Sequence, residues 1–272
     1  MKKLILVIIT LSIIVTVAIG FSYKIVCTRY TIYSEKITGS LKLVVVADFH
    51  GCRYGEHGEP ILKIISEENP DVVLLCGDIY DDKLPFDTSD ALVSQLSEAW
   101  PVYYVSGNHE YWSGQIDSIK ATLTAYGVHV LEGTGETVHI GKDTVLISGI
   151  DDPTYLGYDV VKCQANSIPF SPNHYSILLS HRPELTELFS ASLVDLVVSG
   201  HAHGGQVRIP YLLNNGLLAP NQGLFPKYTS GIHSLNSRTS LLVSRGLAKE
   251  STRVPRFFNR PEIVSVTLRS SL

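Results

Sequence analysis

The chain has 272 residues, of which 44% are hydrophobic and 18% charged, and its formal net charge is −4. That apolar share excludes a disordered chain and predicts a sizeable core, arranged as one large domain or two small ones. The mild acidity argues against a long nucleic-acid track, which needs a basic face. It does not exclude small anionic substrates held through a local metal charge.

The first element in chain order is "LILVIITLSIIVTVAIGF", uncharged from Leu4 to Phe21. It has the length of a short membrane-spanning helix. The expected organisation is an N-terminal anchor over 1–22, a juxtamembrane segment and first strand over 23–40, and one soluble domain over 41–272. Removal as a signal segment, cut at the small residues Ala18 to Gly20, is the alternative. A core helix rarely runs so long without a polar face. Lys2 and Lys3 favour an inside N-terminus, hence a single-pass protein of the cell membrane with its domain extracytoplasmic; Lys24, Arg29 and Lys36 oppose that orientation.

From Leu41, short apolar runs alternate with helix-like segments. "LKLVVVA", "DVVLLC", "PVYYVS", "DTVLIS", "YSILLS" and "LVDLVVS" read as strands covered on both faces. Between them, "EPILKIISEEN" has Pro60 placed for a first helical turn. "DTSDALVSQLSEAW" offers Ser89 and Asp90 as caps, and Ile116, Ile119 and Leu123 recur at helical spacing. This rhythm predicts an α/β domain. Beyond about Gly204, "GQVRIP", "KYTSGIHSL", "TSLLVSRG" and "EIVSVTL" read as further strands, with a hairpin tip at 236–238. The four cysteines, Cys27, Cys52, Cys76 and Cys163, show no metal or disulfide-framework spacing.

The ends of the apolar runs carry the chemistry. One closes on Asp48 and His50, the next on Asp78, the next on Asn108 and His109, another on His181, and "LVVS" on His201 and His203. In an α/β sheet the carboxyl ends of strands open on a common crevice. Residues two apart on an extended chain point the same way, and the glycines of "GHAHGG" let backbone pass close to a charged centre. Four imidazoles, two carboxylates and an amide are too many donors for one ion and suit two divalent cations, one carboxylate bridging. Such a pair, roughly 3.5–4 Å apart, clamps an in-line displacement at phosphorus and lowers the pKa of a shared water. His57, His129, His139, His174 and His233 follow no such run and are expected to be surface or satisfied-core residues.

"DFH", "GD", "GNHE", "SH" and "GHAH", in that order, resemble the calcineurin-like metallophosphoesterases. "GIDDP", "SHRPE", "GHAHGGQVRIP", "KYTSG", "VSRGL" and the apolar N-terminus resemble one bacterial branch, the membrane-anchored YkuE/YaeI-like phosphodiesterases. The resemblance implies a four-layer α/β/β/α sandwich of two sheets flanked by helices. It implies Asp48, His50 and His203 at one metal, Asn108, His181 and His201 at the other, and Asp78 between them. The ions could be Mn, Fe or Zn. It also implies that His109 reaches the phosphate to stabilise charge or protonate the leaving oxygen, with Asp81 orienting it. A solvated Asp81 beside Asp82 is the alternative. Arg53 could meet an anionic substrate or lie on the surface, and Asp151 and Asp152 could line the crevice or make a turn with Pro153.

The expected function is phosphodiester hydrolysis by a metal-activated water, without a covalent phospho-enzyme. The substrate would be a small or lipid-linked phosphoester. The alternatives are a phosphomonoesterase or nucleotide or sugar pyrophosphate hydrolase, and a non-catalytic metal-binding scaffold for protein partners. No nucleic-acid partner is expected.

Overall fold

In the computed structural model, which describes residues 1–249 and 254–271, the apolar N-terminal run forms helix α1 (Lys2–Gly20), whose only buried residue is Gly20. Its length and composition allow it to cross a membrane. The next strand, β1 (Val26–Ser34), pairs in parallel along its whole length with the last strand of the chain.

The apolar runs then fold as expected into strands and helices. They give β2 (Ser40–Val46), α2 (Glu59–Glu68), β3 (Val72–Cys76), α3 (Asp87–Ala99), β4 (Val102–Val105), α4 (Asn108–Trp112), α5 (Ile116–Ala125) and the short β5 (His129–Val130). The second half continues with β6 (Thr134–Ile140), β7 (Asp143–Gly149), α6 (Pro153–Leu156), α7 (Tyr158–Ser167), β8 (Tyr175–Leu179), α8 (Thr186–Ala191) and β9 (Leu196–Ser199). A small pair, β10 (Leu218–Ala219) and β11 (Gly223–Leu224), precedes β12 (Gly231–Ser234), β13 (Ser240–Val243) and β14 (Glu262–Ser270).

These strands make two six-stranded mixed sheets, ordered β1-β14-β2-β3-β4-β5 and β12-β13-β9-β8-β7-β6. The sheets pack face to face through Leu43, Val45, Leu74 and Val105 of the first and Val145, Ile147, Ile177 and Val198 of the second. The outer face of the first sheet is covered by Ile61 and Ile65 of α2, Leu92 and Leu96 of α3, and Ile119 and Leu123 of α5. The outer face of the second meets Val161 of α7 and Leu188 and Phe189 of α8. The result is the expected α/β/β/α sandwich. Strands buried on both faces are largely apolar, which is why β3 reads as an unbroken hydrophobic run, and β8 is interrupted only by Ser176, whose hydroxyl donates to Asp195 Oδ2 at 2.8 Å.

Two local expectations fail. "GQVRIP" is not a strand: His203, Gly204, Gly205 and Gln206 all take positive φ, of 45°, 63°, 75° and 57°, and the segment makes just isolated bridges, Val207 to Phe257 and Ile209 to Leu213. Four successive residues at positive φ cannot continue a ladder. Ser89 and Asp90 do not cap α3, which begins at Asp87. Ser89 Oγ instead donates to the Ile79 carbonyl at 2.8 Å, and Asp90 accepts from the Tyr80 hydroxyl at 2.8 Å. Both tie the helix to the loop that carries Asp78.

Candidate metal centre

The loops that leave β2, β3 and β9 turn sharply at their polar residues. Asp48, His50, Asp78, His201 and His203 have φ of 50°, 52°, 51°, 65° and 45°. The left-handed region costs a non-glycine residue about 1–2 kcal/mol, and such strain persists only where surrounding structure imposes it, often at functional sites. Glycines leave the room. A Cβ at Gly246 would lie 2.3 Å from Asp48 Oδ2, and one at Gly107 would lie 2.2 Å from Asp78 Oδ1. At Gly77 it would meet His181 Nδ1 at 2.5 Å.

Each of three imidazoles is fixed through one nitrogen and presents the other to a common centre. His181 Nδ1 lies 2.8 Å from the Cys76 carbonyl oxygen and therefore carries the proton, leaving Nε2 open. His50 Nδ1 lies 3.1 Å from Asp81 Oδ2. His201 Nε2 lies 2.9 Å from Asn221 Oδ1, which leaves Nδ1 open, 3.1 Å from His181 Nε2. Outer partners of this kind set the tautomer and ring orientation of metal-ligating histidines. Between the open nitrogens sits Asp78 Oδ2, 3.1 Å from His181 Nε2 and 3.6 Å from His50 Nε2.

The inner atoms lack hydrogen-bond partners. His50 Nε2, Asp78 Oδ2, Asn108 Oδ1 and His203 Nδ1 are buried and unsatisfied. A buried polar atom left unpaired costs about 1–3 kcal/mol. Facing lone pairs of imidazole, carboxylate and amide cannot satisfy one another, whereas a cation satisfies them all. Donor atoms of Asp48, His50 and His203 lie within 4.8 Å of one another, as do those of Asp78, His181 and His201. This all-nitrogen-and-oxygen set fits divalent transition-metal ions.

His109 stands beside this centre, its ring 4.4 Å from that of His50 and perpendicular to it. Its Nδ1 is 2.7 Å from Asp82 Oδ1 and 3.4 Å from Asp81 Oδ2. Asp81 is buried rather than solvated, and touches both His50 and His109. Burial disfavours a charged His109, but Asp81, Asp78 and Asp82 outweigh it and carry its pKa up to about 9. Burial, then His181 and Arg182, push His201 down to about 3.

Several residues at the site escaped the sequence reading. Glu110, fully buried, accepts from the backbone N–H groups of Asp78, Ile79, Tyr80 and Gly107 at 2.7–3.1 Å and so shapes the loop around Asp78. Arg182 forks onto Asp152 at 2.6 and 3.1 Å and donates to Asn221 Oδ1 at 2.7 Å. Asp152 thus holds an arginine as well as capping α6 at Thr154 N. Asp151 receives Ser106 Oγ and Lys120 Nζ away from the centre. Arg53 is exposed and lies with Leu84 and Thr88 around a separate hollow. A charged residue directly after a histidine that closes an apolar run, as Glu110 follows His109 and Arg182 follows His181, was the available signal.

A cavity of about 640 Å³ opens over the centre. Asp78, Asn108, His109, His201 and His203 form part of its lining, Arg182 and Lys83 add positive charge, and Trp112, Leu218, Ala219 and Pro220 give an apolar wall.

Comparison with known proteins agrees with this geometry. Over 264 residues the chain is 29% identical to an uncharacterized metallophosphoesterase, YkuE, of Bacillus subtilis (strain 168), covering 92% of this chain and 87% of that one. It is 28% identical to the phosphodiesterase YaeI of Escherichia coli (strain K12), over 84% and 82% of the two chains. A transmembrane protein with a metallophosphoesterase domain from Bos taurus is 28% identical, over 85% of this chain and 54% of its own. Among solved structures, the protein TT1561 of Thermus thermophilus superposes with a TM-score of 0.50 at 14% identity, covering 77% of this chain and 91% of its own, a likeness of fold. Residues 41–205 match the calcineurin-like phosphoesterase family. The chain therefore belongs to that family and is a metal-dependent phosphoester hydrolase.

Proposed function

We propose that the chain is a phosphodiesterase with a binuclear centre, in which Asp48, His50 and His203 hold one divalent ion, Asn108, His181 and His201 a second, and Asp78 is shared. The observation that carries this reading is the set of four buried, unpartnered donor atoms on His50, Asp78, Asn108 and His203. Bound there, the ions would supply Lewis-acid polarisation of phosphoryl oxygens and a water of lowered pKa. Manganese, iron and zinc all suit these donors.

The chain's own groups do the rest. Asp82 and Asp81 hold His109 at Nδ1, so the proton it can transfer sits on Nε2. His109 lines the cavity and gives that proton to the departing ester oxygen. Arg182, locked by Asp152 and Asn221, supplies fixed positive charge for a non-attacked phosphate oxygen. The apolar wall of Trp112, Leu218, Ala219 and Pro220 receives an organic group of the ester, and the likeness to the phosphodiesterase YaeI supports a diester. With α1 as a membrane anchor and the domain outside, the substrate would be a small or lipid-linked phosphoester.

The test is turnover by the full chain, stripped of metal and reloaded with manganese. A bis-aryl phosphodiester should be hydrolysed faster than the matching aryl monoester. A preference for the monoester would overturn the diesterase reading.

A further inference from the structure

Residues 209–226, "IPYLLNNGLLAPNQGLFP", contain no Lys, Arg, Asp or Glu, in a chain that is 18% charged. They are not core. Tyr211 is 95% exposed, Leu212 83%, Phe225 70% and Leu224 67%. A largely solvent-facing stretch of this length without charge, carrying five large exposed apolar side chains with Ile209 included, marks a surface that meets something apolar.

The tips of this excursion stand together. Ile209 and Leu213 bridge across a tight turn in which Tyr211 takes φ 69°, holding Tyr211 and Leu212 outward. The second tip returns beside the first: Phe225 N donates to the Leu217 carbonyl at 2.8 Å, and Leu212 and Phe225 line the same shallow groove. The excursion also reaches the active-site region, since Leu218, Ala219, Pro220 and Asn221 line the cavity over the metal centre.

What covers these tips is indicated by what lies next to them. At the base of the excursion, Val207 bridges Phe257 and Arg208 N donates to the Phe257 carbonyl at 2.8 Å. Phe257 packs against Phe21, their ring centroids 4.9 Å apart, and sits so tightly on Gly20 that a Cβ there would lie 2.3 Å from its ring. Phe258 N donates to the Gly20 carbonyl at 2.7 Å. The carboxyl end of the apolar helix α1, where the chain would leave a bilayer, is therefore joined through Phe257 and Phe258 to the base of the excursion. Val207 and Tyr211 are four residues apart, at most about 14 Å of chain.

We propose that the excursion 209–226 seats in the bilayer interface beside α1, placing Tyr211, Leu212, Leu224 and Phe225 among headgroups and upper acyl chains. An aromatic ring with a hydroxyl and flanking aliphatic side chains suits that depth. The cavity wall from Leu218 to Asn221 then lies at the membrane surface, and the phosphoester best placed to enter is one whose phosphorus sits at headgroup level. That last consequence rests on the phosphodiesterase reading; the seating does not.

The test uses the full chain in phosphatidylcholine vesicles, plain or brominated in the acyl chains. Leu212→Trp and Phe225→Trp are compared with Tyr33→Trp, an exposed site seven residues along β1 from Val26, roughly 23 Å further from α1. The signal of the native Trp100 and Trp112 is taken from the unsubstituted chain. Bromine should quench the tryptophan at 212 and at 225 severalfold and leave that at 33 unchanged. Equal quenching at all three positions, or blue-shifted emission at 212 and 225 without quenching, as a protein cover would give, overturns the proposal.

A second arm reads function. A triple variant, Tyr211→Ser, Leu212→Ser and Phe225→Ser, should lose turnover of a vesicle-embedded phosphodiester severalfold and keep its rate on a soluble one. Equal loss on both overturns the link to substrate access. If the unsubstituted chain hydrolyses neither diester, the phosphodiesterase reading fails, while the quenching still decides the seating.

Discussion

The Nδ1 nitrogen of His181 lies 2.8 Å from the carbonyl oxygen of Cys76, so the last residue of β3, in one sheet, sets the tautomer of the imidazole that follows β8, in the other. The two sheets are thereby registered at the metal centre as well as in the core. The same logic runs through Asp81 to His50 and Asn221 to His201. A side chain that fixes one nitrogen determines what the other can bind.

Asp81 is the outer partner most open to mutation, because it bonds two histidines without facing the centre itself. Asp81→Asn should weaken metal binding by about 10–100-fold, the usual cost of losing such a partner. Competition with a chelator of known affinity measures it. Unchanged affinity would remove Asp81 from the site's support.

His109 should separate chemistry from metal loading. His109→Ala should lower kcat by about 10²–10⁴-fold while metal content stays constant. Elemental analysis and steady-state kinetics on one preparation decide it, and a full rate in that variant would contradict the role given to His109.

Gly246 is closed to any side chain. With φ at 69° and a Cβ 2.3 Å from Asp48 Oδ2, Gly246→Ala should cost about 1–3 kcal/mol in overpacking and about 1–2 kcal/mol in backbone strain. The midpoint of thermal unfolding should fall by several degrees, and metal affinity should fall with it because Asp48 is displaced. A melting temperature equal to the parent's would show that the loop relaxes freely.

Asp143 supplies a pH dependence remote from the centre. Burial opposes its charge, but Thr38 N, Thr38 Oγ1 and Gly39 N donate to it at 2.6–2.9 Å and hold its carboxyl below the usual carboxylate range. A depressed folded-state pKa contributes stability above the unfolded-state value, and that stability is lost as pH falls through the folded-state value. Asp143→Asn should therefore lower the melting temperature at pH 7 and lower it progressively less as pH falls below the unfolded-state value of about 3.9. A loss that stays constant across that range would show that the carboxylate charge contributes nothing.

The sandwich and the gathering of Asp48, His50, Asp78, His181, His201 and His203 were legible because both are local signals. A strand buried on two faces must be an apolar run, and a polar residue that ends it must lie where strand ends meet. Sequence separation does not weaken that inference, as Asp48 and His201 demonstrate: His201 N donates to Asp48 Oδ1 at 2.9 Å. What stayed hidden depends on neighbours distant in sequence. Nothing local to Gly246 announces that Asp48 fills the space above it. Asn221 sits in an irregular loop and gains its meaning only from His201 and Arg182. "GQVRIP" has a strand's composition, but the turn at His203 to Gln206, imposed by the site, overrides it.

The centre itself is tested most directly by counting metal. The full chain, dialysed with manganese, iron or zinc and washed, should retain two divalent ions per folded chain by elemental analysis. Asp78→Asn, still folded by circular dichroism, should retain fewer than one and hydrolyse no phosphodiester. A folded parent chain that keeps no divalent ion, or an Asp78→Asn chain that keeps as many as the parent, would contradict the binuclear centre.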